Sequence, residues 1–266
     1  MEIGGATRVF ALLGDPVTHS LSPVMYNAAF RAMGLDAAYV ALRCQAEALG
    51  PLMETLVRKG GGGNVTVPHK EAAALALARL GGPELDVCNT FWGTGSGITG
   101  TETDSAGILA ALGELGARNG NWLLIGTGGS ARAALGAARV AGARIAVRSR
   151  SAERAEAFLK LAERQSVGSA EPESCEVMIN CTPLGLTIAD PFPLDPELVP
   201  TGRIALDLVY RPGETAWVRA LQARGCRAAD GRTVLVEQGA AAFERWFEGT
   251  PAPREVMRGA VHQALG

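Results

Sequence analysis

The chain has 266 residues, enough for one large domain or two ordinary ones. Apolar residues make up 47% and charged residues 20%, the balance of an ordinary globular protein. Lys and Arg number 25 against 27 acids, a net charge of −2 that offers no electrostatic reason to expect nucleic acid or an anionic membrane as partner.

The opening stretch, MEIGGATRVFALLGDP, lacks a basic region followed by a long apolar core, and no apolar run reaches membrane-spanning length. A cytoplasmic protein is expected. Residues 8–13 read as a buried strand ended by Gly14-Asp15-Pro16. Ser22-Pro23 offers an N-cap and a proline at the first helical position, opening a helix through Met25, Ala29 and Met33 that stops at Gly34. A strand at 38–42, a helix near 47–58, a strand over Asn64-Val65-Thr66-Val67 and a helix with Pro68 in its first turn follow. After a Gly/Thr-rich patch (93–103) come a helix at 105–115 and a second alternating series. Its strands are expected at 122–125, 144–147, 177–180 and 204–208, and helices near 234–247 and 254–265 close the chain. Such alternation predicts parallel α/β layers in two domains with a helical tail.

Cysteines at 44, 88, 175, 181 and 226 are odd in number and form no CxxC, so reduced, partly buried thiols are expected. His19, His69 and His262 lack metal-ligand spacing, and no metal centre is expected. His69 is expected to face solvent, and His19 to support a site from behind.

Two stretches carry chemistry. Lys70 lies at the start of the helix after Pro68, where the macrodipole disfavours an ammonium by roughly 0.3–1 kcal/mol. Either the lysine is merely solvated or it is placed to touch a substrate. Gly126-Thr127-Gly128-Gly129-Ser130-Ala131 fits G-x-G-x-x-A between a strand and a helix, the context in which such glycines admit a pyrophosphate to a helix N-terminus. At the end of the next strand, Arg148, Arg150 and Arg154 stand with Ser149 and Ser151, and the sole acid, Glu153, lies beyond the turn. Arginines suit a 2′-phosphate, so NADP is favoured over NAD.

Taken together, several stretches resemble the shikimate dehydrogenase family. Residues 14–27, GDPVTHSLSPVMYN, are similar to its G-x-P-x-x-H-S-x-S-P-x-M-H-N, with Tyr26 in place of the second histidine. Asn64-Val65-Thr66-Val67-Pro68-His69-Lys70 matches N-V-T-x-P-x-K, and Asn89-Thr90 a later N-T pair. Ser149-Arg150-Ser151-x-x-Arg154 resembles N-R-T-x-x-R, Asn180-Cys181-Thr182-Pro183-Leu184-Gly185 follows N-A-T-P-x-G, and Asp207-Leu208-Val209-Tyr210-x-Pro212 follows D-x-V-Y-x-P. Val236-Glu237-Gln238-Gly239, with Phe243 and Trp246, looks like the family's glutamine helix. The departures are Glu102 where the family has asparagine, and Asp86-Val87-Cys88 before the N-T pair.

The resemblance implies an N-terminal α/β substrate domain completed by C-terminal helices (1–103 plus 237–266) and a Rossmann-type NADP-binding domain (104–236). It implies NADPH-dependent, reversible reduction of 3-dehydroshikimate to shikimate, a step in aromatic amino acid biosynthesis, by a monomer or homodimer. Lys70 and Asp104 would be catalytic, facing each other across a cleft. Ser20, Ser22, Thr66, Asn89, Tyr210 and Gln238 would bind substrate. Gly126, Gly128, Gly129, Ser130, Ala131, Ser149, Arg150, Ser151, Arg154 and Thr182 would bind NADP(H). Glu102 keeps open a quinate or aminoshikimate-type substrate, and a catalytically silent ligand-binding relative is the alternative from another class.

Overall fold

The computed structural model describes residues 3–117 and 119–266. Strands β1 (Arg8–Gly14), β2 (Ala37–Arg43), β3 (Gly62–Val65), β4 (Thr90–Thr94) and β5 (Gly97–Thr101) alternate with helices α1 (Ser22–Ala32), α2 (Leu49–Arg58) and α3 (Lys70–Arg79). Then come α4 (Asp104–Glu114), β6 (Asn121–Ile125), α5 (Gly129–Ala141), β7 (Arg144–Arg148), α6 (Ala152–Arg164), β8 (Val177–Asn180) and β9 (Ile204–Asp207). The chain finishes with α7 (Ala216–Ala223), β10 (Arg227–Ala229), α8 (Arg232–Trp246) and α9 (Arg254–Leu265). It divides into two compact units, one of Met1–Thr103 with Val236–Ala264, the other of Asp104–Leu235 with Leu265–Gly266.

The first unit holds a sheet of order β2-β1-β3-β4-β5. The first three strands are parallel, whereas β4 runs antiparallel to β3 and β5 antiparallel to β4. Successive side chains of a strand point to opposite faces. On one face Ala11, Leu13 and Val65 pack with Leu49, Met53 and Leu56 of α2 and Ala73 and Leu77 of α3. On the other lies Phe10, with rings of α1 and α8 around it: Phe30 at 5.4 Å, Trp246 at 4.8 Å, and Phe247, just past α8, at 5.6 Å. Such aromatic pairs add to the burial of large apolar area. They explain why the end of α8 belongs to the same unit as the chain's first strand.

The second unit holds an all-parallel sheet of order β10-β9-β8-β6-β7. Trp122 and Leu124 face a cluster with Ala134, Ala137 and Ala138 of α5 and Phe158 of α6, while Leu123 and Ile125 face one with Trp217, Val218 and Leu221 of α7. Helices thus cover both faces, as a parallel sheet requires.

Several expectations need correction. The strand expected over residues 64–67 is Gly62–Val65. Thr66-Val67-Pro68 turns away, Val67-Pro68 is cis, and Pro68 precedes the N-cap His69 rather than sitting in the helix. Backbone pairing decided this boundary, because Gly62, Gly63 and Asn64 are laddered to Trp92, Phe91 and Thr90, and Phe10, Ala11 and Leu12 lie on the other side. Ser22 is the first helical residue of α1; the N-cap is Leu21, and Ser20 Oγ accepts from Ser22 N (3.2 Å). The Gly/Thr-rich patch is mostly the β4–β5 hairpin, whose two-residue Gly95-Ser96 link is a recognisable turn signal. Helix α7 and the short β10 were not anticipated from the sequence.

Candidate active site

In the first unit, strand direction gathers distant segments. β1 and β3 are parallel and end where antiparallel β4 begins and β5 ends. Gly14–Ser22, Thr66–Lys70, Asn89–Thr90 and Thr101–Thr103 therefore share one end of the sheet, and main-chain hydrogen bonds bind them together. Asp15 N donates to Val67 O (3.3 Å), Thr66 N to Leu13 O (2.9 Å), Val65 N to Asn89 O (2.9 Å), Cys88 N to Lys70 O (3.0 Å) and Asn89 N to Thr101 O (3.2 Å). Lys70 is half-buried at the first position of α3.

A buried polar network lies beneath these residues. Tyr39 Oη donates to Asn64 Oδ1 (2.8 Å), and Asn64 Nδ2 to Asn89 O (3.2 Å) and Thr90 Oγ1 (3.0 Å). Asn89 Oδ1 accepts from Thr103 N (2.8 Å) and Thr90 Oγ1 (3.1 Å), and its Nδ2 donates to Thr103 Oγ1 (3.1 Å). Buried amides of this kind are costly unless satisfied and rigid when they are. Asn89 thereby holds Thr103, the residue bonded to Asp104. Asn64, Thr103, Tyr26 and Tyr39 went unrecognised as site-building residues. The signal for Asn64 was present, since a polar residue heads an otherwise apolar strand end.

His69 reverses its expectation. It is buried, with Nε2 2.9 Å from Cys44 O, and so ties the start of α3 to the segment after β2. His19 is exposed. The loop after β1 is fastened to that same segment by Asp15, which accepts from Arg43 Nε (2.6 Å) and Gln45 Nε2 (2.9 Å). The Arg43 bond holds the Asp15 carboxyl below its ordinary range. Ser20 and Ser22 stand at the head of α1, their hydroxyls 3.2 Å apart. Gln238 lies on α8, largely buried. Glu102 is half-buried between Thr101 and Thr103.

In the second unit, parallel strands bring the glycine loop, the arginine turn, Thr182 and Tyr210 to the carboxyl edge of one sheet. Gly126 follows β6 with φ +112°, a backbone that L side chains rarely adopt, and a Cβ there would press within 3.0 Å of the Thr182 methyl. Gly128 is the N-cap of α5 and Gly129 its first residue; a Cβ at either meets nothing within 4 Å, so open space lies over a thirteen-residue helix N-terminus. Ser130 is half-buried beside them, whereas Ala131 is wholly buried and packs the helix on the sheet. Ser149 Oγ accepts from Ser151 N (3.3 Å), and Ser151 Oγ caps α6 by accepting from Arg154 N (3.2 Å). These two hydroxyls shape a turn that leaves Arg148, Arg150 and Arg154 exposed. Thr182 is held by Asn180, to whose Oδ1 it donates (2.7 Å), and Asn180 Nδ2 donates to buried Asp207 (2.8 Å).

A cavity of about 420 Å³ lined by Gly116, Glu176, Arg203 and Arg227 and one of about 450 Å³ lined by Glu114, Gly116, Gln222 and Arg227 lie toward the amino ends of β8–β10, opposite the glycine loop, and none of the expected site residues lines them. Among the described residues, no group of three or more His, Cys, Asp or Glu could hold a metal ion, and no helix is long and apolar enough to cross a membrane. The five cysteines are free and buried.

Residues 12–89 match the shikimate dehydrogenase substrate-binding domain and residues 231–262 the shikimate 5′-dehydrogenase C-terminal domain. A shikimate dehydrogenase (NADP(+)) of Methanothrix thermoacetophila is 39% identical over 97% of this chain and 98% of its own. The structure of shikimate 5-dehydrogenase from Thermus thermophilus, in complex with NADP(H) and shikimate, superposes with a TM-score of 0.84 at 36% identity, covering 96% of this chain and 99% of that one. That of Aquifex aeolicus shikimate dehydrogenase gives 0.86 at 30%, covering 98% and 99%.

Proposed function

Because the chain belongs to the shikimate dehydrogenase family, we propose that it catalyses the reversible, NADPH-dependent reduction of 3-dehydroshikimate to shikimate. The observation that carries this reading is the convergence of Thr66, Lys70, Asn89 and Thr103 at one sheet end of the first unit, together with an open glycine loop and exposed arginines in the other unit. We place the enzyme in the cytoplasm, as a monomer or homodimer, with residues 1–103 and 237–266 taking the substrate and 104–236 the cofactor.

The residues present suit NADP(H). The N-terminus of α5 and the open space over Gly128 and Gly129 fit a pyrophosphate, with Gly126, Ser130 and Thr182 shaping the loop and Ala131 seating the helix. Ser149 and Ser151 hold the turn whose arginines would grip a 2′-phosphate. When bound, the nicotinamide supplies or accepts the hydride. As a ketone gains hydride its oxygen becomes negative, and Lys70 Nζ stabilises that charge and delivers the proton. Asp104 orients the ammonium and holds a neighbouring hydroxyl. Ser20, Ser22, Thr66, Asn89, Tyr210 and Gln238 bind the substrate's carboxylate and hydroxyls.

The test is loss of NADPH absorbance with 3-dehydroshikimate, run beside NADH and beside the reverse reactions with shikimate and quinate. Fast turnover with NADPH and 3-dehydroshikimate supports the reading; no reaction of that pair while NADPH still binds refutes the substrate assignment and leaves the cofactor assignment standing. Arg150→Ala separates the cofactors. A charge-assisted hydrogen bond to phosphate is worth enough that the KM for NADPH should rise about 10–100-fold, with little change for NADH. Equal loss with both cofactors would refute the phosphate clamp.

A further inference from the structure

We propose that Tyr26 is a positioning residue that fixes Gln238 relative to the serines at the head of α1, an inference that rests on Gln238 being a substrate ligand. Tyr26 is fully buried. Its ring stacks on Tyr39, with centroids 4.5 Å apart and planes at 24°, and lies 4.8 Å from Trp246. Its hydroxyl donates to Gly239 O (3.2 Å), the carbonyl next along from Gln238 on α8. That oxygen lies inside a helix, and a carbonyl has a second lone pair for such a donor. The backbone at Gly239 lies close against Tyr26 and the two methionines. A Cβ there would lie 3.3 Å from Tyr26 Oη and 3.3 Å from Met257 Cε, and would collide with the Met25 terminal methyl.

The other end of the link is set by helix spacing. Ser22 and Tyr26 are four residues apart on α1, hence on one face, and both are buried. The same helix face therefore presents Ser22 to the site and clasps α8 beside Gln238. Ring stacking restrains Tyr26 sideways, and its hydroxyl sets the height at which α8 is held. This is the position where the signature has histidine.

Steady-state kinetics of the full-length protein test the link. Tyr26→Phe keeps the ring and removes one buried hydrogen bond, so the KM for 3-dehydroshikimate should rise about 3–10-fold, with kcat within about twofold and the KM for NADPH unchanged. Gly239→Ala perturbs the same contact from the other side and should give the same pattern, which keeps the inference testable if Tyr26→Phe folds poorly. Gln238→Ala alone should also raise the KM, and in that background Tyr26→Phe should add nothing further. A Tyr26→Phe effect that persists undiminished without Gln238, or that spreads equally over kcat and both KM values, overturns the link. No effect of Tyr26→Phe and Gly239→Ala, while Gln238→Ala raises the KM, refutes the link but spares Gln238 as a ligand. An unchanged KM in Gln238→Ala removes the substrate ligand itself, and the link with it.

Discussion

Replacing Lys70 with alanine lowers kcat for 3-dehydroshikimate reduction by about 10²–10⁴-fold, the range a positioned general acid contributes. The protein still folds, and NADPH still binds. Lys70 opens α3, and alanine is at least as good a helix former there. Its carbonyl, which accepts from Cys88 N, is untouched by the change. The loss should therefore fall on the chemical step and not on stability. Turnover at saturating substrate, with a thermal melt as control, measures both. Wild-type turnover in the folded variant would remove Lys70 from the mechanism. A large loss accompanied by a much lower melting temperature would instead make the lysine a structural residue.

Asp207 gives the second prediction. It is fully buried at the end of β9, accepting from Asn180 Nδ2 (2.8 Å), Val209 N (3.1 Å) and Thr215 Oγ1 (2.7 Å). Burial dominates these bonds and pushes the carboxyl up to about 6, from an ordinary 3.8. Between those values the folded chain keeps a proton that the unfolded chain has released. The stabilising contribution is thus complete below pH about 4 and is lost as pH rises through about 6, some 3 kcal/mol in all. Asp207→Asn removes the titration. Its amide can still donate to Thr215 Oγ1, while its oxygen accepts from Asn180 and Val209. Urea unfolding of the whole chain, followed by the fluorescence of buried Trp122 and Trp217, should show the variant gaining on the wild type across that window and then running parallel to it. Curves parallel from pH about 4 upward would mean that Asp207 is ionised throughout.

Both residues stand where the sequence marked a motif, yet their surroundings were not legible there. The strands at 8–13, 122–125, 144–147 and 177–180 could be read because each is a short apolar run bounded by turn residues. Helix 254–265 was read to the residue. The β4–β5 hairpin escaped because Gly93, Gly95, Gly97 and Gly100 carry little strand propensity and break the alternation; its ladder to β3 and within itself supplies what propensity does not. His69, polar and next to a charged lysine, was expected in solvent, but Cys44 O offers it a buried partner 25 residues away in sequence.

By itself, then, the sequence determined the α/β alternation, the glycine loop with its arginine turn, and the residue types that carry the chemistry, because local periodicity and short motifs depend on neighbours within a few residues. Only the tertiary structure decided which of those residues meet. Thr66, Lys70, Asn89 and Thr103 converge because β3 runs parallel to β1 and antiparallel to β4, and strand pairing across tens of residues leaves no local trace. Tyr26 reaches Gly239 for the same reason: the two are 213 residues apart in the chain, and only packing of α1 against α8 brings a phenol to that carbonyl.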